Sequence, residues 1–396
     1  MKDKKKILFV INSLRCGGAE KSLVSLLSLI DYERYSVDLQ MFNSNGMFLE
    51  LLPKSVNVLP ELAFFEFLKK NVYQQLRDRN KRFIKTRVNL FFAFRRTHKN
   101  KNLHDAQVFW KICEKDIDKY ARKYDVAIAW GQGNPTHYVA DKVVANAKYA
   151  WINADYEAVG HNRHFDKRYY DKYDKIVAVS KTLEKIVKST FPDYTEKVVT
   201  IQDIQNQELI IKMSKFKADI WKKENRWRLV TVGRLVKAKG YDIAIEACKV
   251  LEEYGMNFEW IIIGDGPEKE WIKNKISEYK LGQNMFLLGA KSNPYSYMKT
   301  ADIYVQTSRN EGYCLTLAEA RILNIPCVTT DFEVVYSQIT NGVNGLIVEK
   351  DGKALALAIK KMMENSELRE KIVQNLKNEK KGNIEEIIHI NELLQG

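Results

Sequence analysis

Short β-branched runs alternate with stretches of helical period along almost the entire chain, and that alternation leaves few folds open. Strand candidates fall at 7–11, 37–42, 56–59, 126–130, 149–152, 176–179 and 198–201, then at 229–232, 260–263, 285–288, 303–306, 327–330 and 346–348. Between them lie amphipathic stretches, among them 19–30, 117–123, 183–189, 243–254, 315–323 and 355–363. Apolar strands joined through helices predict parallel sheets covered on both faces, an α/β class. Ligands of such sheets bind beyond the carboxyl ends of the strands, so the residues just after each strand matter most.

At 396 residues the chain is too long for one ordinary core. The alternation breaks twice: 64–102 is basic and aromatic with no strand period, and 203–228 is polar and rich in lysine, which predicts a linker. The expected organisation is an N-terminal domain over 1–203 with a basic insertion at 64–101, a C-terminal domain over 204–381, and a last amphipathic helix within 382–396.

Composition narrows the setting. No apolar run approaches the roughly 20 residues needed to span a bilayer, and the run at 7–11 is too short for a signal peptide. The five cysteines are scattered with no C-x-x-C pair, which predicts reduced thiols, and the six histidines show no metal-ligand spacing. The expectation is a cytoplasmic protein. Net charge is +14, and residues 69–101 hold twelve Lys or Arg against one acid, Asp78. Charge concentrated in this way predicts an anionic partner. Tyr73, Phe83, Phe91, Phe92 and Phe94 are interleaved with the cations. No nucleic-acid-binding module fits the segment, so the expected partner is an anionic membrane surface at the inner face of the cell membrane, or an anionic polymer, rather than nucleic acid.

Four short motifs follow strands. Gly17 and Gly18 open a helix after the first strand, where glycines allow close backbone approach and the helix start favours anions. Gly233, Arg234 and Leu235 follow 229–232, with Lys239 and Gly240 next; a guanidinium fork and an ammonium five residues apart suit phosphate oxygens. Gly264-Asp265-Gly266-Pro267 marks a strand-to-helix turn. The sharpest signal spans 311–319, with two carboxylates separated by seven residues. Gly312 permits a bend that puts Glu311 in a loop and Glu319 in the following helix. The backbone N–H groups of Tyr313, Cys314, Leu315 and Thr316 would then face an anion. Asp116-Ile117-Asp118 imitates a D-x-D metal motif but sits in a charged stretch far from any strand end, which predicts a solvated face and no metal site.

In this order the four motifs resemble those of glycosyltransferase family 4, of the GT-B fold, in the style of bacterial capsule and exopolysaccharide enzymes. The resemblance implies two Rossmann-like domains facing across a cleft, with the C-terminal helix crossing back to the first. It also implies a retaining hexosyl transfer from a nucleotide sugar, a UDP-sugar, to a polysaccharide, lipid-linked or polymer acceptor, with neither metal nor cofactor. Arg234 and Lys239 would bind the donor pyrophosphate, Glu319 the ribose hydroxyls, and Glu311 would sit against the donor sugar. Glu311, Arg234 and Lys239 are thus the implied catalytic set. Gly17, Gly18, Gly264, Gly312, Tyr313, Cys314, Leu315 and Thr316 complete the implied donor side.

Two departures stand out. Many relatives carry a histidine after the strand matching 149–152, where this chain has Asn153, which with Asp155 falls on the acceptor side. An asparagine usually comes earlier than Asn206 in the stretch 201–206. These departures keep two alternatives open: a non-catalytic partner that binds donor or glycan, and a nucleotide-sugar epimerase on the same architecture.

Overall fold

The computed structural model describes residues 4–15, 17–46, 48–77, 81–97, 103–216 and 225–395. The chain forms two compact units. Unit 1 runs up to Ile204 and resumes at Glu385; unit 2 is Gln205–Ile384.

Unit 1 is built on β1 (Lys5–Ile11), β2 (Tyr35–Met41), β3 (Val56–Val58), β4 (Lys123–Trp130), β5 (Val144–Ile152), β6 (Lys175–Ala178) and β7 (Val198–Thr200). They form one parallel sheet in the order β3-β2-β1-β4-β5-β6-β7. The period of two explains its two cores. Ile7, Phe9 and Ile11 enter one apolar layer, and Leu8 and Val10 enter the other. Helices α1 (Gly18–Leu27), α2 (Ala63–Lys69), α3 (Val72–Leu76), α4 (Lys81–Thr97), α5 (Asp105–Cys113), α6 (Asn134–Lys142), α7 (Tyr156–Val159), α8 (Arg163–Tyr170) and α9 (Lys181–Thr190) belong to this unit.

Unit 2 contains β8 (Trp227–Val232), β9 (Phe258–Ile263), β10 (Met285–Leu287), β11 (Ile303–Gln306), β12 (Cys327–Thr330) and β13 (Leu346–Val348), again parallel, in the order β10-β9-β8-β11-β12-β13. Its helices are α10 (Gln207–Ser214), α11 (Tyr241–Glu253), α12 (Lys269–Glu278), α13 (Tyr295–Lys299), α14 (Leu315–Ile322), α15 (Gly352–Glu364) and α16 (Ser366–Asn378). The last helix, α17 (Ile387–Gln395), returns to unit 1. Ile390 and Leu394 are buried there in the layer that holds Ile7 and Phe9, and the Tyr149 hydroxyl donates to the Leu393 carbonyl at 2.8 Å.

Two segments differ from the sequence reading. Residues 117–123 are not a helix. A short turn at Glu114–Asp116 is followed by irregular chain until β4 begins at Lys123. Asp116 is buried and pairs with Arg82, so it is no solvated face; Asp118 alone is exposed. Ile117 is buried too, and its side chain anchors to the core what its charged neighbours made look like a surface helix. Part of the expected linker is α10, whose Ile210 and Met213 are buried. Residues 217–224 of that linker, Cys16 beside the glycine pair, and 78–80 and 98–101 of the basic segment lie outside the described residues.

In both sheets the strand order reverses direction once, between β1 and β4 and between β8 and β11. Loops on either side of such a switch diverge and leave a crevice at the carboxyl edge.

Candidate functional site

In unit 2 the loops flanking the switch are 233–240 after β8 and 307–314 after β11. They are stitched together at the backbone. The Arg309 N–H donates to Ala238 O at 2.8 Å, and the Thr307 hydroxyl donates to Lys239 O at 2.7 Å. Gly240 makes this approach possible: its φ is +62°, and a Cβ there would lie 2.0 Å from the Thr307 carbonyl oxygen. Arg309 forks onto Asp242 at the start of α11, fixing the same corner from outside.

The stitching sets Lys239 against Glu311. The Lys239 ammonium pairs with Glu311 Oε1, which also accepts from the Ser308 hydroxyl at 2.5 Å and from Gln306 Nε2 at 3.2 Å. The pair is largely enclosed, with side-chain exposures of 20% and 11%. Burial alone would pull the Lys239 ammonium down, but the Glu311 carboxylate outweighs it and holds the lysine above its usual range. Arg234, in the same loop, is exposed and makes no ion pair among the described residues.

The Gly264 motif shapes the Arg234 loop from behind. A Cβ on Gly264 would meet the Gly233 carbonyl oxygen at 1.9 Å, and one on Gly266 would meet that of Leu235 at 2.4 Å. The Leu235 N–H donates to Asp265 O at 3.0 Å, and the Glu268 N–H to Leu235 O at 2.9 Å. The glycines let two loops lie backbone to backbone.

Cys314 precedes α14 with φ +65°, a left-handed conformation unusual for a residue with a side chain. Its carbonyl accepts from Leu317 and Ala318, which leaves the N–H groups of Leu315 and Thr316 without carbonyl partners among the described residues. Gln338 donates to Tyr313 O and, at 3.4 Å, to Cys314 O, pinning the bend that follows Gly312. Glu319 lies in α14 as expected but is 3% exposed, and its Oε1 accepts from the Tyr295 hydroxyl at 2.9 Å. The structure thus joins Lys239 to Glu311 and gives Glu319 a different neighbour. Gln306, Ser308, Gln338 and Tyr295 were not read from the sequence.

The remaining candidates belong to unit 1. Gly17 is extended, and a Cβ on it would lie 2.2 Å from the Glu20 carboxylate, which folds back over the start of α1 at Gly18. Asn153 and Asp155 follow β5. Gln132 clamps that loop: its Oε1 accepts from Asn153 N–H at 3.3 Å and Ala154 N–H at 3.2 Å, and its Nε2 donates to Ala154 O at 2.8 Å. Neither Oδ1 nor Nδ2 of Asn153 has a partner among the described residues.

The basic segment divides its aromatics between core and surface. Phe64 and Phe67 are buried, and Phe65, Phe83 and Phe94 pack against the same layer. On the opposite face of α4, Phe91 and Phe92 are 47% and 53% exposed, alongside Val88. Val72, Tyr73 and Leu76 of α3 are exposed as well. No helix among the described residues is long and apolar enough to cross a membrane.

Residues 213–379, most of unit 2, match the sequence model of the family described as glycosyl transferases group 1. The chain is 29% identical over 170 residues to the uncharacterized glycosyltransferase MJ1059 of Methanocaldococcus jannaschii, 41% of each protein. It is 30% identical over 213 residues to the capsular polysaccharide biosynthesis glycosyltransferase CapM of Staphylococcus aureus, which is 50% of this chain and 55% of CapM. The matched regions span about half the length of these relatives. Among solved structures, Anabaena Alr3699/HepE in complex with UDP and glucose superposes with a TM-score of 0.69 at 17% identity, covering 99% of both chains. The fold is therefore the two-sheet α/β architecture of the GT-B class.

Proposed function

We propose that this chain is a retaining glycosyltransferase of the family 4 type. It moves a hexosyl group from a UDP-sugar to a polysaccharide, lipid-linked or polymer acceptor without a metal ion or other cofactor. The observation that carries this reading is the Lys239–Glu311 pair at the switch of unit 2, inside the stretch that matches the glycosyl transferases group 1 model. The UDP bound to HepE supports the choice of donor nucleotide, and the name of CapM supports a surface polysaccharide as acceptor class.

The chemistry follows from charge. As the donor breaks, the bond between the anomeric carbon and the phosphate oxygen opens and negative charge gathers on the pyrophosphate. Arg234 and Lys239 supply fixed positive charge there, stabilising the transition state more than the ground state. The acceptor oxygen bonds to the anomeric carbon from the face the phosphate leaves, and its proton passes to the departing phosphate oxygen. Glu311 orients Lys239 and borders the donor sugar, Glu319 takes the ribose, and the N–H groups at the start of α14 face the phosphates. The enzyme works in the cytoplasm at the inner membrane face, held there by the exposed side of α3 and α4.

The test is incubation with UDP-glucose, UDP-galactose and UDP-N-acetylglucosamine, read by UDP release and by NMR of the sugar. Transfer or slow hydrolysis that keeps the anomeric configuration supports the proposal. An epimerised donor would make the chain an epimerase, donor bound without turnover a non-catalytic partner, and no binding at all would end the donor reading.

A further inference from the structure

Unit 1 has its own switch point, between β1 and β4, and a cavity of about 370 Å³ lies at that carboxyl edge. Small-ligand sites typically measure about 300–1,000 Å³, so there is room for one sugar ring with its substituents.

The cavity has two kinds of wall. One is polar: Asn12 and Ser13 come from the loop after β1, Asn43 from the loop after β2, and Asn134 from the start of α6. Asn134 Oδ1 is itself enclosed and has no hydrogen-bond partner among the described residues, so the polar lining open to a ligand comes from Asn12, Ser13 and Asn43. The other wall is aromatic. Phe42 and Phe65 stack with ring centroids 4.6 Å apart and planes 13° apart. Phe42 is buried beneath this stack, so the accessible ring is that of Phe65; a pyranose has hydroxyls around its rim and an apolar C–H face, and amides together with an aromatic ring suit both.

Charge adds the remaining element. Lys69 borders the cavity but is closed by its ion pair with Glu61. Arg15 also borders it, is exposed, and makes no ion pair among the described residues. A guanidinium left open beside a sugar-sized cavity selects phosphate or carboxylate, which it can bind in a fork.

We propose that this cavity binds a pyranose carrying an anionic substituent, with the ring on Phe65 and the anion on Arg15. The cavity is then the acceptor end of the transfer, and the acceptor is an acidic sugar. That assignment rests on the transfer reaction proposed above.

The experiment is a titration of the full chain, saturated with UDP, with glucose 6-phosphate, glucuronate and glucose, followed by ligand-observed NMR. At least one charged sugar should bind tenfold or more tightly than glucose. Arg15→Gln and Phe65→Leu should each weaken that binding about tenfold and leave UDP affinity unchanged. Preference for the phosphate names a phosphosugar, and preference for glucuronate a uronic acid. Equal affinity for glucose, or binding that survives Arg15→Gln but disappears in Lys239→Ala, overturns the site. UDP is titrated alone first. UDP bound with no charged sugar bound refutes this site and leaves the donor reading intact, whereas charged sugars bound by a chain that ignores UDP do the reverse.

Discussion

The Lys239 ammonium and the Glu311 carboxylate are mutually dependent, and this separates two substitutions that would otherwise look alike. Arg234 is exposed, so on the proposed mechanism Arg234→Ala should remove transition-state charge and little else. Turnover should fall on the order of 10²-fold with an unchanged melting temperature. Lys239→Ala should lose at least as much turnover and also destabilise unit 2. It strands the Glu311 carboxylate in a nearly closed site with only neutral donors, at a cost of about 3 kcal/mol. Steady-state kinetics in EDTA together with urea melts check both, and wild-type rates in either variant, or activity abolished by EDTA, would falsify the charge assignment. A second residue offers a pH test. Asp203 accepts from the Ser22 hydroxyl at 2.6 Å inside unit 1. Burial pushes its carboxyl from 3.8 up to about 7, which the Ser22 hydrogen bond only partly offsets. The folded chain thus keeps a proton that the unfolded chain releases near pH 4. The resulting stability is complete below that pH and is lost as pH rises through about 7. Compared with Asp203→Asn, the wild type should lose roughly 3 kcal/mol of stability between pH 5 and pH 8. Parallel stability curves for the two proteins would show that Asp203 does not titrate in this range.

The membrane contact proposed above rests chiefly on α4, which leaves Val88, Phe91 and Phe92 exposed. Phe83, Thr86, Leu90 and Phe94 lie on its core-facing side, whereas Lys81, Lys85, Val88, Phe91, Phe92 and Arg95 lie on the other. The Arg95 guanidinium covers the Phe91 ring at 4.3 Å. Exposed aromatics flanked by cations suit the headgroup region of an anionic bilayer, where each cation is worth about 1 kcal/mol. Arg82 is excluded from this surface by its pairing with Asp116, so replacing it would test the fold rather than docking. The informative variant changes Lys81, Lys85 and Arg95 to Gln. The wild type should sediment with phosphatidylglycerol vesicles, release in high salt and ignore phosphatidylcholine, and the variant should bind about 10²-fold more weakly. Undiminished sedimentation of the folded variant would rule out this face as the membrane contact.

At the scale of the whole molecule, the sequence was most legible where one physical rule acted alone. Runs such as 229–232 and 303–306, set among stretches of helical period, read as buried parallel strands, and the loops after them pointed to Lys239 and Glu311. Legibility failed where distant parts of the chain decide. Gln338 pins a bend more than twenty residues away, and the buried Asp116 pairs with Arg82 of α4, two pairings with no local signature. The basic segment read as one patch because sequence cannot say which phenylalanines face the core. Because α17 completes the apolar layer of unit 1 after all of unit 2 has been threaded between, the ribosome delivers unit 2 whole before unit 1 can close. A nascent chain therefore carries an open seam in the apolar layer that holds Ile7 and Phe9 until Ile390 and Leu394 emerge, and that interval is when chaperones have most to protect.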